Sequence, residues 1–398
     1  MFAKTSVSLT TIAVALMSTT AAFAADANAF GERLKAVAAD QNMTIAYDSA
    51  TSEGDNVILK GMTASPKGEE PAKLGDITFE NVTGSTEDGW KIARIPIDDI
   101  DVTEGDTRTT ITGMSIEGAE ILPADRSGLP PAKQFSEVYF DKAGLQSMTV
   151  EKAGAKVFGL TGASIDNTTN DGDDSFSSDF NLGTFDADFT KADPETAKTM
   201  SDLGYGNLSG TAEGSASWDP KTGTVSLDPF DINVANAGNL SFTYEMAGYT
   251  PAFIQSMQKI SQQMQQNPDG NQNSGMAMMG LLSQLSLGSA DITFVDDSLT
   301  DKLLDFYAKK QGTTRDQLIQ QIEQTVPAML SQLQNPEFQN KVSGAVSTFL
   351  KDPKSLSISI DPESPIPAMQ IMGAAMGAPQ TLPQVLSLDV TANDATSE

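Results

Sequence analysis

The sequence predicts an α+β protein: an extended, curved antiparallel β-sheet, built as a meander, that carries a C-terminal helical insertion or cap. From about residue 43 to 250, runs of β-branched and aromatic residues alternate with polar ones and end at Gly, Asn, Asp or Pro. After residue 250, apolar residues recur at helical spacing. Alternating runs return at 287–295, 355–361 and 385–391, so we expect the helices to be inserted into one sheet.

The first 24 residues are typical of a cleaved export signal. Lys4 gives a short positive segment, Val7 to Met17 are modestly apolar, and Ala22-Phe23-Ala24 is a small-x-small cleavage pattern. We therefore expect a signal peptide at 1–24, cleavage near Ala24-Ala25, and a periplasmic or secreted product. No later stretch reaches the ~20 apolar residues that a spanning helix needs, so no transmembrane segment is expected after cleavage.

Residues 25–250 are expected to form a β-rich region behind a short N-terminal helix. Phe30, Leu34 and Val37 have the spacing of one helix face within 28–40. The polar stretch 166–184 is expected to be a loop. The predicted strands are Thr44–Ser49, Asn56–Thr63, Gly75–Val82, Trp90–Ile97, Thr107–Ile121, Glu137–Asp141, Leu145–Lys152, Ala155–Ile165, Phe185–Lys191, Asn207–Trp218, Thr224–Val234 and Asn239–Met246.

Residues 251–398 are expected to form the helical cap, with strands that return to the sheet. Pro251 to Gln266 begins with Pro near the first helical position and has an apolar stripe. Met276 to Gln284 is short and apolar. Ser298 to Asp301 resembles a capping box, Thr314 opens a further helix, and Asn335-Pro336 separates that helix from the next.

The composition excludes several classes of function. The chain has 25 Lys and Arg, 53 Asp and Glu, no Cys, no His, and a net charge of −28. A strong nucleic-acid binder needs a basic surface, so no nucleic acid is expected as a partner. Without Cys and His, thiolate zinc sites, disulfides and imidazole catalysis are excluded. The charge also repels anionic membrane surfaces and favours cationic partners or partners bridged by divalent ions.

Three motifs suggest chemistry, and each also has an ordinary structural interpretation. Ser256-x-x-Lys259 and Lys221-Thr222-Gly223 match two motifs of serine penicillin-binding enzymes, but in reversed order, and the second is already explained as a hairpin turn. Asn167 to Asp179 resembles a calcium loop, but Ser178 stands where the closing Glu is expected, so a solvated acidic loop is the default. Asp98 to Asp101 includes neighbouring carboxylates of the kind that glycoside hydrolysis needs.

Methionines are concentrated in the C-terminal part. Thioether side chains adapt to irregular apolar partners such as acyl chains, although ordinary helix core is the plainer interpretation. The methionines concerned are Met257, Met264, Met276, Met278, Met279, Met369, Met372 and Met376.

Parts of the chain resemble two groups of proteins. Asp202 to Gly210, Trp218 to Leu227, Ala237 to Phe242, Phe294 to Leu303 and Phe349 to Leu356 are similar to patterns in uncharacterised exported proteobacterial proteins. The repeated apolar-x-apolar strands resemble those of AsmA-like envelope proteins. That resemblance implies a long sheet curved into a groove and a role in lipid handling, and it assigns no functional residue.

These observations favour a non-enzymatic periplasmic or cell-envelope protein that binds a hydrophobic or lipid-like ligand between sheet and Met-rich helices, or acts in envelope maintenance. Two alternatives stay open. One is a secreted structural or self-associating surface protein, with calcium as an added stabiliser. The other is a hydrolase that uses carboxylates alone. No catalytic residue, cofactor-binding residue or cofactor is assigned, and metal binding, ligand identity and oligomeric state are left open.

Overall fold

The structure is a computed structural model of the 398-residue chain, and it describes residues 25–129, 131–134, 136–170, 175–266 and 271–394. The predicted signal peptide lies outside the described residues. A large open antiparallel sheet, with helices mainly in its C-terminal part, confirms the predicted α+β class. No helix among the described residues is both long and apolar enough to cross a membrane.

Strands run through almost the full length of the described chain, and most helices follow residue 250. The helices are α1 Ala27–Asp40, α2 Pro194–Asp202, α3 Pro251–Gln266, α4 Asn271–Leu282, α5 Leu299–Gln311, α6 Arg315–Leu330, α7 Pro336–Lys351, α8 Ala368–Gly377 and α9 Leu382–Val385. The strands are β1 Met43–Ala46, β2 Ser49–Glu53, β3 Asn56–Pro66, β4 Ala72–Ser85, β5 Gly89–Ile97, β6 Ile100–Glu104, β7 Thr107–Thr112, β8 Met114–Ile121, β9 Val138–Tyr139, β10 Lys142–Gly144, β11 Ser147–Lys152, β12 Ala155–Thr161, β13 Ser164–Thr169, β14 Phe176–Asp188, β15 Asn207–Asp219, β16 Thr224–Val234, β17 Gly238–Ala247, β18 Ser286–Asp296, β19 Ser355–Ile360, β20 Ile366–Pro367 and β21 Leu388–Ala392.

The sheet is a meander. Several of its strands are parts of one longer strand with a local interruption: β1 with β2, β5 with β6, β7 with β8, β9 with β10 and β11, and β12 with β13. When the parts are joined, the pairings of the described strands are antiparallel and link segments that follow one another along the chain. The strands at 286–296, 355–360 and 388–392 therefore continue the same sheet, as the sequence predicts.

A line of bulges crosses five neighbouring strands in the middle of the sheet. The Gly113 N–H donates to Asp99 Oδ1 at 3.0 Å, and the Gln146 N–H donates to the Thr112 carbonyl at 3.0 Å. The Gly162 N–H donates to the Gln146 carbonyl at 3.0 Å. In β14 the register shifts between Asn181 and Thr184. Each bulge adds a residue and bends its strand, so the aligned bulges, which we call the bulge line, bend the sheet as a unit.

The N-terminal end of the sheet has a packed core beneath α1. The carboxylate of Asp26 accepts the N–H groups of Asn28 and Ala29 and so caps α1. Phe30, which is 0% exposed, lies with its ring centroid 4.8 Å from that of Phe79 and 5.6 Å from that of Trp90. Strands β3 to β5 and β8 supply the rest of this core.

A buried arginine fixes α1 to the far end of β8. The Arg33 guanidinium donates to the Leu122 carbonyl at 2.7 Å and to Glu137 at 3.2 Å. Arg126 also approaches Glu137, at 3.5 Å. Removing one partner would leave a buried charge uncompensated, which makes the network a constraint on how α1 sits.

The C-terminal helices cover the opposite end of the sheet. Helix α7 packs against β19 and β21, with the ring centroids of Phe349 and Phe294 6.3 Å apart. Helices α5 and α6 form a smaller core of their own around Leu304, Leu318 and Ile319. The helices thus cap one end of the sheet and leave its middle strands uncovered.

The structure corrects several local expectations. Residues 189–191, predicted as the end of a strand, form a 3-10 turn. Ser298 makes no side-chain capping bond to α5, and the Asp296 carboxylate accepts from the Thr300 N–H in its place.

The stretch 166–184 was expected to be a loop, but its described residues include the end of β13 and the first part of β14, which pair with each other. Asp, Asn and Ser dominate the solvent side of these strands, and they conceal the alternation of Phe176 and Phe180. Residues 171–174 of the proposed calcium loop lie outside the described residues.

Candidate ligand-binding groove

One face of the sheet carries rows of apolar side chains that cross the molecule. Directly opposite residues in antiparallel strands project from the same face, so the strand register identifies each row. The first row is Ile95, Ile116, Ala143, Ile165, Phe180, Gly214, Phe230, Phe242, Ile292, Ile358 and Val390. The second row is Ile100, Ile111, Met148, Leu160, Phe185, Gly210 and Val234.

The two rows lie on opposite sides of the bulge line but on the same face. Gly210 and Gly214 are four residues apart in an uninterrupted part of β15, and side chains alternate with a period of two. Each bulge adds one residue to its strand, so side chains an odd number of residues apart across the bulge, such as Phe180 and Phe185, project from the same face. We call the side of the sheet that bears both rows the apolar face.

Two glycines in β15 make room for aromatic rings that project from β14. A Cβ atom at Gly214 would be 2.7 Å from Cζ of Phe180, and a Cβ at Gly210 would be 2.6 Å from Cζ of Phe185. The rings therefore occupy the space above the glycines. Phe180 and Phe230 come within 5.6 Å of each other across Gly214, measured between ring centroids, which keeps the first row continuous.

Where the bulge line bends the sheet, the apolar face forms a groove of about 480 Å³. It is bordered by residues from β5, β8, β10, β13 and β14 and from the bulges between their halves. The residues that line it are mostly apolar, and the polar ones among them are Ser115, Ser164 and Asn181. The apolar side chains are those of Ile97, Met114, Ile116, Ala143, Leu145, Ala163, Ile165, Phe180 and Leu182. No side chain among those that line it carries an ionisable group, so its evident chemical capacity is to bury apolar surface.

The opposite face of the same strands is polar. Thr112 and Ser147 share a hydrogen bond of 2.8 Å between their hydroxyl oxygens, and Lys142 pairs with Asp166 at 2.7 Å. Arg108 binds Asp101 at 2.6 Å, and its donated hydrogen bonds lower the pKa of the Asp101 carboxyl. A polar face on an antiparallel sheet is ordinary, so the apolar face is the unusual feature.

The groove is open to solvent. Ile165 is 40% exposed and Leu182 is 47% exposed, and the described apolar side chains between residues 123 and 204 include no fully buried one. A soluble protein seldom leaves so much contiguous apolar surface uncovered unless the surface binds something.

A second cavity, of about 570 Å³, lies between α2 and α5 and has a different chemistry. It is lined by Lys198, Lys302, Lys309 and Lys310, and by the acids Glu195, Asp202 and Asp305. Opposite charges compensate one another there. Lys198 donates to Asp202 at 2.5 Å, and this contact lowers the pKa of the Asp202 carboxyl. We interpret this cavity as a solvated ion-pair network.

The structure gives local structural roles to several residues singled out in the sequence. The Ser256 hydroxyl donates to the Ala252 carbonyl at 2.8 Å within α3. The Lys221 N–H donates to Asp219 Oδ1 at 2.8 Å, as expected of a turn. Asp99 accepts from the Gly113 N–H at the bulge line.

The methionines have a different environment from the helix core that was the plainer expectation. Met257, Met264, Met276, Met278, Met279, Met369 and Met376 are all exposed. They lie on α3, α4 and α8, and none of them lines the groove. The groove residues were missed because they come from strands far apart in sequence. Glycines within apolar runs, at 113, 162 and 183, were the available signal for the bulges.

Comparison with known proteins gives a family description without a function. A family model described as an uncharacterized protein matches residues 231–393, which is less than half of the chain. No curated protein matches the chain. The matched segment runs from β16 to the end of β21 and includes the C-terminal helices, whereas the groove strands precede it.

Proposed function

We propose that this protein is a non-enzymatic protein of the bacterial cell envelope that binds the acyl chain of a lipid-like ligand in the groove at the bulge line. The observation that carries the proposal is the groove itself: a continuous, solvent-open apolar surface without ionisable groups, on the same face as rows of apolar side chains that cross the sheet. The N-terminal export pattern supports an envelope location.

The dimensions suit a single acyl chain. Neighbouring strands are about 4.8 Å apart, so a groove that crosses five of them is roughly 19 Å long. The hydrocarbon core of a bilayer, two chains thick, is about 30 Å, which makes one chain about 15 Å long. The groove volume of about 480 Å³ is within the range of small-molecule sites.

The driving force would be burial of apolar surface. Each buried methylene group contributes about 0.8 kcal/mol, before the cost of losing translational and conformational freedom. The aromatic rings of Phe180 and Phe230 extend the apolar surface beyond the groove, so a ligand with a second chain could lie along the row. A lipid-handling role, as the AsmA-like strand pattern implies, is part of this proposal.

The test is binding of a fluorescent long-chain fatty acid to the full chain in solution, with the double variant Ile165→Asn and Leu182→Asn. We expect the variant to bind at least about tenfold more weakly, equivalent to about 1.4 kcal/mol. Val295→Asn is the matched control. Val295 is similarly exposed, but it pairs with Asn239 and projects with it from the polar face of the sheet. Absence of wild-type binding, or equal binding by the double variant, would refute the proposal.

Self-association through sheet edges is a second candidate. Among the described strands, β1 and β2 pair only with β3, and β21 pairs only with β19. Unpaired edges can accept a strand from another molecule. Native mass spectrometry distinguishes the candidates: co-purifying lipid on a monomer supports the groove, and discrete lipid-free oligomers support the edges.

A further inference from the structure

Three helices emerge from the same end of the sheet. Helix α3 begins soon after β17 ends, and α4 ends just before β18 begins. Strand β20 pairs with the start of β18, with Leu287 opposite Ile366, and leads directly into α8. The Ala368 N–H donates to the Leu285 carbonyl at 2.9 Å, which fixes the start of α8 beside the end of α4. The helices α3, α4 and α8 are called the methionine end below.

The methionine end is almost free of charge in a strongly acidic protein. The chain has 25 basic and 53 acidic residues, yet residues 364–388 contain no charged residue and residues 247–287 contain only Lys259 and Asp269. Elsewhere, a net charge of −28 repels anionic surfaces. An apolar or neutral surface can therefore approach the protein closely at this end without desolvating charged groups.

At the methionine end, α3 and α4 bury only the residues nearest the sheet, and α8 has no buried residue. Phe253, Ile254 and Leu281 form a small core with Trp218 beneath. Beyond this core the methionines are exposed, and Met276 and Met376 reach 68% and 84% exposure. Exposed thioether side chains are flexible and apolar, and they can adapt to a disordered partner.

The near absence of charge favours a neutral lipid surface over a protein as that partner. Helices α3, α4 and α8 contain a single charged residue, Lys259, so they offer little charge pattern to specify a protein partner. Their exposed methionine side chains are uncharged, so they can be buried at a neutral lipid surface without the cost of desolvating an ionised group.

We propose that the exposed methionines of α3, α4 and α8 dock this protein onto the neutral surface of a lipid bilayer, with shallow insertion of their side chains. The docking is independent of the groove, although it would bring a lipid-binding protein to its ligand. It differs from common interfacial helices, which use Lys and Arg to bind anionic lipid. Binding here should be strongest on zwitterionic membranes and opposed by anionic lipid.

The test is flotation of the full chain with phosphatidylcholine vesicles and with vesicles that also contain phosphatidylglycerol. We expect binding to phosphatidylcholine and weaker binding to the anionic vesicles at low salt. Added salt should restore the anionic binding, because the screening length falls from about 10 Å at 0.1 M to about 3 Å at 1 M. No binding to phosphatidylcholine, or preference for anionic vesicles at low salt, would overturn the proposal.

Variants separate this proposal from the groove. Met276→Gln combined with Met376→Gln should reduce vesicle binding about tenfold, whereas Leu74→Gln, at an exposed apolar position on β4, should leave it unchanged. The groove variant Ile165→Asn with Leu182→Asn should still float with vesicles. Equal vesicle binding by wild type and the double methionine variant would show that the methionine end is not the docking surface.

Discussion

Beneath α1 the sheet packs its apolar side chains into a closed core, whereas around the bulge line its apolar face is bare. Val57, Leu59 and Trp90 are buried almost completely, but Ile165 and Leu182 are 40% and 47% exposed. Both regions consist of antiparallel strands with similar alternation. The two regions differ because helix α1 covers only the first of them. Helix α1 is capped by Asp26 and is fixed in place by the hydrogen bond from Arg33 to the Leu122 carbonyl.

The comparison shows that alternation alone does not indicate what a strand face contacts. A strand with one apolar face requires a cover, and the cover can be part of the chain or a separate molecule. At the N-terminal end the chain supplies the cover itself. At the bulge line it does not, and this is why we propose ligand binding for that region.

The largest expected difference between the two regions is in the free energy of unfolding that is lost when an aromatic ring is removed from each. Phe30→Ala should lower the free energy of unfolding by about 3–5 kcal/mol, because it empties a fully enclosed site between Phe79 and Trp90. Phe180→Ala should cost less, about 1 kcal/mol, since its ring is only partly buried. Urea denaturation of both variants measures the two values. Equal losses would mean that the apolar face is covered in solution.

A smaller effect tests whether the bare region depends on backbone geometry. Gly183 and Gly162 both have positive φ, +64° and +81°, but a Cβ at Gly183 would lie 1.9 Å from the Thr161 carbonyl oxygen while a Cβ at Gly162 meets nothing within 4 Å. We expect Gly183→Ala to cost about 2 kcal/mol or more and Gly162→Ala about 1 kcal/mol in unfolding free energy.

The same two variants also report on the groove. Gly183→Ala must displace the bulge in β14 and should weaken fatty-acid binding, whereas Gly162→Ala should retain more of it. If both variants bind the fatty acid as wild type does, the bulge line does not shape the ligand site.

The smallest effect concerns the C-terminal cap, where α6 and α7 are joined at their surface. Lys351, at 2.8 Å, and the Ser347 hydroxyl donate to the Glu323 carboxylate and lower its pKa. A lowered pKa stabilises the fold fully above the ordinary value near 4.5 and loses this contribution as pH falls through the folded value.

The stability difference between wild type and Glu323→Gln should therefore be constant above about pH 6 and shrink below about pH 4.5. All the other acidic residues are the same in the two proteins, so their titration affects both stabilities alike and cancels in the difference. A difference that grows on acidification would contradict the assigned contact.

Local pattern was sufficient for much of the fold. The Pro and Gly of the turn at 219–223 and the alternation in Thr224–Val234 and Asn239–Met246 predicted a hairpin and strands that the structure contains as β15, β16 and β17. The capping motif at Thr314 predicted a helix start, and its side chain accepts from the Gln317 N–H at 3.3 Å. These features depend on neighbours within a few residues, which a single sequence displays.

The groove could not be predicted in the same way. Ile97, Met114, Leu145, Ile165 and Leu182 come from five strands, and nothing local relates their positions. Their meeting requires the register of every intervening pair and a bulge in each strand at a matching height. The exposure of the methionines also needed the structure, because helical spacing of apolar residues fits a buried stripe equally well.

Strand alternation, turn residues and helix caps are short-range properties, so they predict the α+β class without any tertiary contact, and the acidic composition without Cys or His excludes catalysis by thiolate or imidazole. Which apolar surfaces the chain covers cannot be read from such short-range patterns. Coverage depends on where α1 and α7 come to rest on the sheet and on the alignment of bulges between distant strands, and both are set by long-range packing.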